Sequence, residues 1–151
     1  MDVVQGGIVD EDVLEYLQPN LEQLVIVGYR GDKFPTWTRT AELLSTYQYL
    51  VSIALNRLKR CERLPPLGLL PSPKILNIYE MNVIREVGSE FYGDTGTFPS
   101  LQEFTFWHMP NLERWSTEAT LPGTELFPCL TYFDAKGCPN LTPKPCLRSW
   151  K

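Results

Sequence analysis

One histidine and four cysteines are the side chains of this chain suited to bind a soft or borderline metal, and their spacing argues against it. Cys61, Cys129, Cys138 and Cys146 form no C-x-x-C pair, and His108 has no cysteine near it in sequence. Structural zinc sites draw on closely spaced ligands of this kind, so no metal is expected. The same residues are poorly placed for hydrolysis, which needs a nucleophile, a base and an orienting group held together. His108 follows Trp107, and no G-x-S-x-G or comparable context accompanies it. Nor is there a G-x-x-x-x-G-K-[ST] loop to cradle phosphates. The expectation is a chain with no catalytic residue and no cofactor. Its chemistry is that of binding.

The elements that position these side chains come from a repeat. An apolar anchor, a second apolar residue three on and a third two further recur five times. The registers are Leu21-x-x-Leu24-x-Ile26, Leu50-x-x-Ile53-x-Leu55, Pro73-x-x-Leu76-x-Ile78, Leu101-x-x-Phe104-x-Phe106 and Leu130-x-x-Phe133-x-Ala135. The anchors are 29, 23, 28 and 29 residues apart, inside the range of a leucine-rich repeat. Eight residues after each anchor stand Tyr29, Leu58, Met81, Met109 and Cys138, where such repeats carry Asn or Cys. Only Cys138 obeys the strict rule, which implies an irregular array. Cys61, Ile84, Leu112 and Leu141 follow eleven residues after their anchors. Cys61 and Cys138 therefore read as small buried side chains. A unit of this kind cannot bury its apolar edge alone and must stack on copies of itself.

The fold class expected is an α/β solenoid, an irregular leucine-rich-repeat horseshoe with short parallel concave strands and mostly irregular convex connectors. Strands are expected near 24–28, 53–57, 76–80, 104–108 and 133–136, with a short helix through Val13, Leu14 and Leu17 and a helical turn at 40–47. The boundaries are a partial repeat or short helix over 1–20, about five repeats over 21–147 and a tail over 148–151. Neighbouring side chains alternate across a strand, so two columns should face outward. One is Val25, Ala54, Asn77, Thr105 and Asp134, and the next is Val27, Asn56, Tyr79, Trp107 and Lys136. Tyr79 and Trp107 are of the types most enriched among binding hot spots. The candidate protein-binding residues are Asn77, Tyr79, Thr105, Trp107, Asp134 and Lys136.

Composition narrows the partner. A formal net charge of −4 and the lack of aromatics within the basic run disfavour nucleic acid. Arg57, Lys59, Arg60 and Arg63 crowd one loop, with Glu62 as the opposing acid in sequence. They suit docking on an acidic protein surface. No stretch approaches the roughly 18 apolar residues of a membrane span, and no membrane insertion is expected. The opening residues lack a basic segment followed by an apolar core. The expected location is cytoplasmic, unless a longer parent carries a signal.

Several stretches resemble the C-terminal repeats of plant disease-resistance proteins, the intracellular receptors with an NB-ARC nucleotide-binding module, of the coiled-coil class. They include Leu14-Glu15-Tyr16-Leu17-Gln18-Pro19-Asn20-Leu21, Gly28-Tyr29-Arg30-Gly31 and Phe34-Pro35-Thr36-Trp37. Cys61-Glu62-Arg63-Leu64-Pro65-Pro66-Leu67-Gly68, Gly88-Ser89-Glu90-Phe91-Tyr92-Gly93 and Met109-Pro110-Asn111-Leu112-Glu113-Arg114-Trp115 continue it. The resemblance covers roughly residues 11–142. Pro73 departs from it where leucine is expected, and Leu58 where cysteine is frequent. It implies a protein-recognition and autoinhibitory segment of an immune receptor, present here as a fragment without the nucleotide-binding module. The implied partners are a pathogen effector, a guarded host protein or the receptor's own nucleotide-binding module. A generic repeat scaffold or adaptor outside immunity is the alternative.

Overall fold

A computed structural model gives the fold and describes residues 2–4, 22–29, 48–70, 72–93, 97–116 and 125–142. The strands are β1 (Asp2–Val4), β2 (Gln23–Val27), β3 (Ser52–Asn56), β4 (Ile75–Tyr79), β5 (Glu86–Val87), β6 (Glu103–Trp107), β7 (Arg114–Trp115) and β8 (Tyr132–Lys136). Six form one sheet in the order β1-β2-β3-β4-β6-β8, parallel throughout. A second sheet pairs β5 with β7, also in parallel. This is the leucine-rich-repeat arrangement. Each main strand begins one residue earlier than the apolar pattern suggests. The first four also end one residue earlier, because the residue after each turns to positive φ. β1 is a strand the apolar pattern does not mark. The helix expected at Val13–Leu17 and the turn at 40–47 lie outside the described residues.

Parallel pairing without offset stacks equivalent residues of every repeat. Leu24, Ile53, Leu76, Phe104 and Phe133 pair in sequence across the sheet, as do Ile26, Leu55, Ile78, Phe106 and Ala135. All but Ala135 are buried, and Ala135 packs against the same core. Tyr29, Leu58, Met81, Met109 and Cys138 are buried too, as are Cys61, Ile84, Leu112 and Leu141. Large apolar residues in the turning slot thus extend the core rather than disturb it. Cys129 differs from the other described cysteines in being exposed.

From repeat to repeat the core changes character. Among the described residues its first half is aliphatic apart from Tyr29, while Phe91, Tyr92, Phe98, Phe104, Phe106, Trp115, Phe127 and Phe133 fill the second. Trp115, on β7, lies 5.1 Å from Phe133, 5.2 Å from Phe106 and 5.5 Å from Phe104, centroid to centroid. Its indole Nε1–H donates to Tyr92 Oη at 2.7 Å, and that hydroxyl donates to the Ser116 carbonyl at 2.5 Å. Burial pushes the Tyr92 phenol well above its ordinary range, so it stays a neutral hydroxyl that serves both bonds.

Backbone and side-chain contacts between repeats fix the stacking distance. The carbonyls of Glu22, Val51, Lys74 and Gln102 each accept two successive N–H groups from the next repeat. On the far side, Asn111 Nδ2 donates to the Asn82 carbonyl at 2.6 Å and Asn140 Nδ2 to the Pro110 carbonyl at 2.8 Å. Both asparagines stand two residues beyond the slot where such repeats usually carry one, and reach back to the preceding repeat. Gly68, in the 3₁₀ turn Leu67–Leu69, faces the helical turn α1 (Ser89–Tyr92). A methyl group at Gly68 would lie 2.7 Å from Tyr92 Cα and closer still to its carbonyl oxygen.

Two consequences can be measured. Truncating Phe104 to Ala should cost roughly 3–5 kcal/mol, the usual range for a buried aromatic, read from chemical denaturation. Gly68→Ala should destabilise by about 1–3 kcal/mol through overpacking against backbone that cannot yield. An unchanged melt would mean that the two turns are not in contact in solution.

Candidate protein-recognition surface

The outward face of the main sheet is ordered by the same register. Val25, Ala54, Asn77, Thr105 and Asp134 form one transverse column, and Val27, Asn56, Tyr79, Trp107 and Lys136 the next. Neighbours in a column stand on adjacent strands. Both columns therefore lie where alternation along the strands places them, in the order expected from sequence.

Within the second column, Tyr79 and Trp107 meet edge to face, with ring centroids 5.9 Å apart and planes at 86°. Trp107 remains 50% exposed, so the contact leaves half of the indole for another molecule. Tyr79 is half-buried, and partial desolvation pushes its phenol up. Lys136 Nζ lies 3.4 Å from Asp134 Oδ2, and the same oxygen accepts from Tyr132 Oη at 3.4 Å. Tyr132 is itself 51% exposed, a further aromatic at this end of the sheet. Asn77 and Thr105 supply neutral polar groups between these features. On the other side of Tyr79, Asn56 Oδ1 is buried without a hydrogen-bond partner among the described residues.

A third column borders the aromatic pair. Gly28, Arg57, Glu80, His108 and Gly137, each directly following its strand, all have positive φ, between 52° and 72°. The N–H groups of the first four extend the ladder: Gly28 donates to the Asn56 carbonyl, Arg57 to Tyr79, Glu80 to Trp107 and His108 to Lys136. This conformation costs roughly 1–2 kcal/mol for a residue with a Cβ and little for glycine. Three side chains are nevertheless kept there. Arg57 Nε donates to Glu80 Oε2 at 2.6 Å. That bond lowers the Glu80 pKa, desolvation partly opposes it, and the charges of Arg57, His108 and Lys59 lower it further. Gly137 is held differently: a Cβ there would approach His108 Cα to 3.1 Å and Nδ1 to 3.2 Å.

The basic cluster is thus less uniform than its sequence suggests. Arg57 belongs to the edge of the sheet and is paired with Glu80, an acid one repeat later that sequence proximity did not reveal. Lys59, Arg60 and Arg63 are exposed and form no ion pair among the described residues. Glu80, His108 and Tyr132 were absent from the sequence-based candidates. A usable signal existed for the first two, since both stand seven residues after an anchor, as Arg57 does. Among the described residues no group of three or more His, Cys, Asp or Glu is arranged to hold a metal, and no helix is long and apolar enough to cross a membrane.

With this geometry in hand, comparison with protein families matches residues 5–81 to the R13L1/DRL21 leucine-rich repeats. The chain belongs to this leucine-rich-repeat family. It is also similar to plant disease-resistance proteins over most of its length. A putative disease resistance protein of Arabidopsis thaliana is 33% identical over 89% of the chain. Disease resistance protein RGA2 and putative disease resistance protein RGA1, both of Solanum bulbocastanum, are 32% and 31% identical over 91% and 86% of it. The chain spans 10%, 14% and 13% of the length of these three relatives. No solved structure matches.

The third column gives a direct test of backbone demand. Gly137→Ala should destabilise by about 1–2 kcal/mol or more, combining the positive-φ cost with the contact on His108. His108→Gly should leave stability unchanged within about 1 kcal/mol or raise it, since relief of strain offsets the added freedom of the unfolded chain. Equal losses in both variants would show that His108 is needed for the fold.

Proposed function

We propose that this chain is a recognition segment of an intracellular plant immune receptor, with two surfaces serving two tasks. Asn77, Tyr79, Thr105, Trp107, Asp134 and Lys136 would engage a pathogen effector or the host protein it modifies. Lys59, Arg60 and Arg63, with Arg57 at their border, would dock on an acidic surface of the receptor's own nucleotide-binding module and restrain it. The observation that carries the first task is the half-exposed Trp107 set edge to face on Tyr79 in register. A large, preorganised aromatic loses little side-chain freedom on binding, which is why such residues dominate interfaces. The second task is supported by exposed cations that form no ion pair among the described residues, suited to a complementary surface.

Similarity to resistance proteins over most of the chain supports the immune setting, and the small share of each relative that it spans supports a role within a larger receptor. Cytoplasmic action and the absence of catalysis in this segment belong to the same reading.

The test uses the receptor that carries this segment, expressed in leaf tissue, with and without its elicitor. Trp107→Ala combined with Tyr79→Ala should abolish the response to elicitor without provoking a response in its absence. Lys59→Glu, Arg60→Glu and Arg63→Glu together should produce cell death without elicitor. Should the aromatic variant respond normally, recognition lies elsewhere. A silent charge-reversal variant with normal accumulation would remove the restraint role.

A further inference from the structure

Trp107 and Tyr79 are flanked by charges that already have partners within the chain. On one side Arg57 is hydrogen-bonded to Glu80 at 2.6 Å, and on the other Lys136 lies 3.4 Å from Asp134. The pairs lie on either side of the aromatic pair in strand order, Arg57 following β3 and Lys136 closing β8. Each joins one cation to one anion, so together they carry no net charge. Their cations stay largely in water, with the Arg57 and Lys136 side chains 57% and 73% exposed, while Glu80 and Asp134 are more covered, at 35% and 23%. A half-exposed aromatic between compensated polar groups has the anatomy of an interface core with its rim.

This arrangement differs from the loop beyond the edge, where Lys59, Arg60 and Arg63 stand without ion pairs among the described residues. An acidic partner would find free charge there. At the aromatic pair it would first have to separate Arg57 from Glu80 or Lys136 from Asp134. An apolar group would cover the indole without disturbing either pair.

From this we propose that the Tyr79–Trp107 surface takes a protein segment presenting an aliphatic or aromatic anchor in neutral surroundings, held by apolar burial and not by charge. The proposal rests on the recognition role assigned above and specifies the chemistry of its partner. Affinity there should be nearly independent of ionic strength. Long-range attraction between exposed charges is screened, whereas burial of apolar surface is not. The two surfaces are then separable by salt alone.

The probe is a displayed library of random dodecapeptides, selected on the immobilised full chain at 150 mM NaCl, with each binder measured at 50 and 500 mM. Three variants accompany it: Trp107→Ala, Arg57→Gln with Glu80→Gln, and Lys59→Ala with Arg60→Ala and Arg63→Ala. Peptides that depend on Trp107 should carry a Leu, Ile, Phe, Tyr or Trp anchor with no net acidic or basic bias. Their affinity should change less than about threefold across the salt range and fall about tenfold or more in Trp107→Ala. It should be retained within about threefold when Arg57 and Glu80 are both neutralised. Trp107-dependent peptides that are acidic and lose about tenfold or more with salt would overturn the proposal while leaving the aromatic pair as a binding surface. Peptides all indifferent to Trp107→Ala, with unaltered thermal unfolding of that variant, would overturn both the proposal and the recognition reading. Loss confined to the Lys59, Arg60 and Arg63 variant would do the same and place binding on the loop.

Discussion

Zero-offset parallel pairing is the constraint from which the rest of this protein follows. The five-residue strands β2, β3, β4, β6 and β8 meet residue for residue, so a position in one repeat lies beside the same position in the next. Each column must then be chemically consistent along the sheet. An apolar column has to remain apolar through every repeat, because one polar member would be buried between two neighbours. The outward columns are free of that demand, and there the residue types vary most.

That constraint also explains what could be read from the sequence. Apolar columns announce themselves, since Leu24, Ile53, Leu76, Phe104 and Phe133 share one spacing from their anchors. Once they are fixed, alternation places Tyr79 and Trp107 on the opposite face and side by side. Other features left weaker traces. The positive-φ column has glycine only at its ends, Gly28 and Gly137, while Arg57, Glu80 and His108 between them carry no conformational signature. The Arg57–Glu80 pair joins residues 23 apart, a separation that acquires meaning only through the repeat length. β5 and β7 are two residues long, too short for any periodicity to show.

The slot eight residues after each anchor illustrates how an irregular repeat stays regular where it matters. Asparagine there would normally serve the turn. Here the slot holds Tyr29, Leu58, Met81 and Met109, all buried, and the polar duty passes to Asn111 and Asn140 two residues later. Their amides bond carbonyls of the preceding repeat, so they satisfy the connection between repeats rather than the turn within one. The equivalent position in the repeat before is Val83, which is exposed and can donate nothing. The interrupted ladder coincides with the shortest step in the array, 23 residues into the third anchor.

Core composition and surface composition are coupled through that same stacking. Phe104 and Phe106 point inward from β6, toward Trp115, while Thr105 and Trp107 point outward from the same strand. A strand clamped by a dense aromatic core has little freedom to tilt, because close-packed interiors resist small displacements. Trp107 is thereby held in position by residues on the other side of the sheet, and its edge-to-face contact with Tyr79 adds a second restraint. The positive-φ residue after each of β2, β3, β4, β6 and β8 completes the frame, turning the chain away at the same height in each of these repeats. An exposed indole on so rigid a support loses little entropy when it is covered. The proposed recognition therefore falls at this end of the sheet rather than at the end where Val25, Val27 and Ala54 offer smaller side chains.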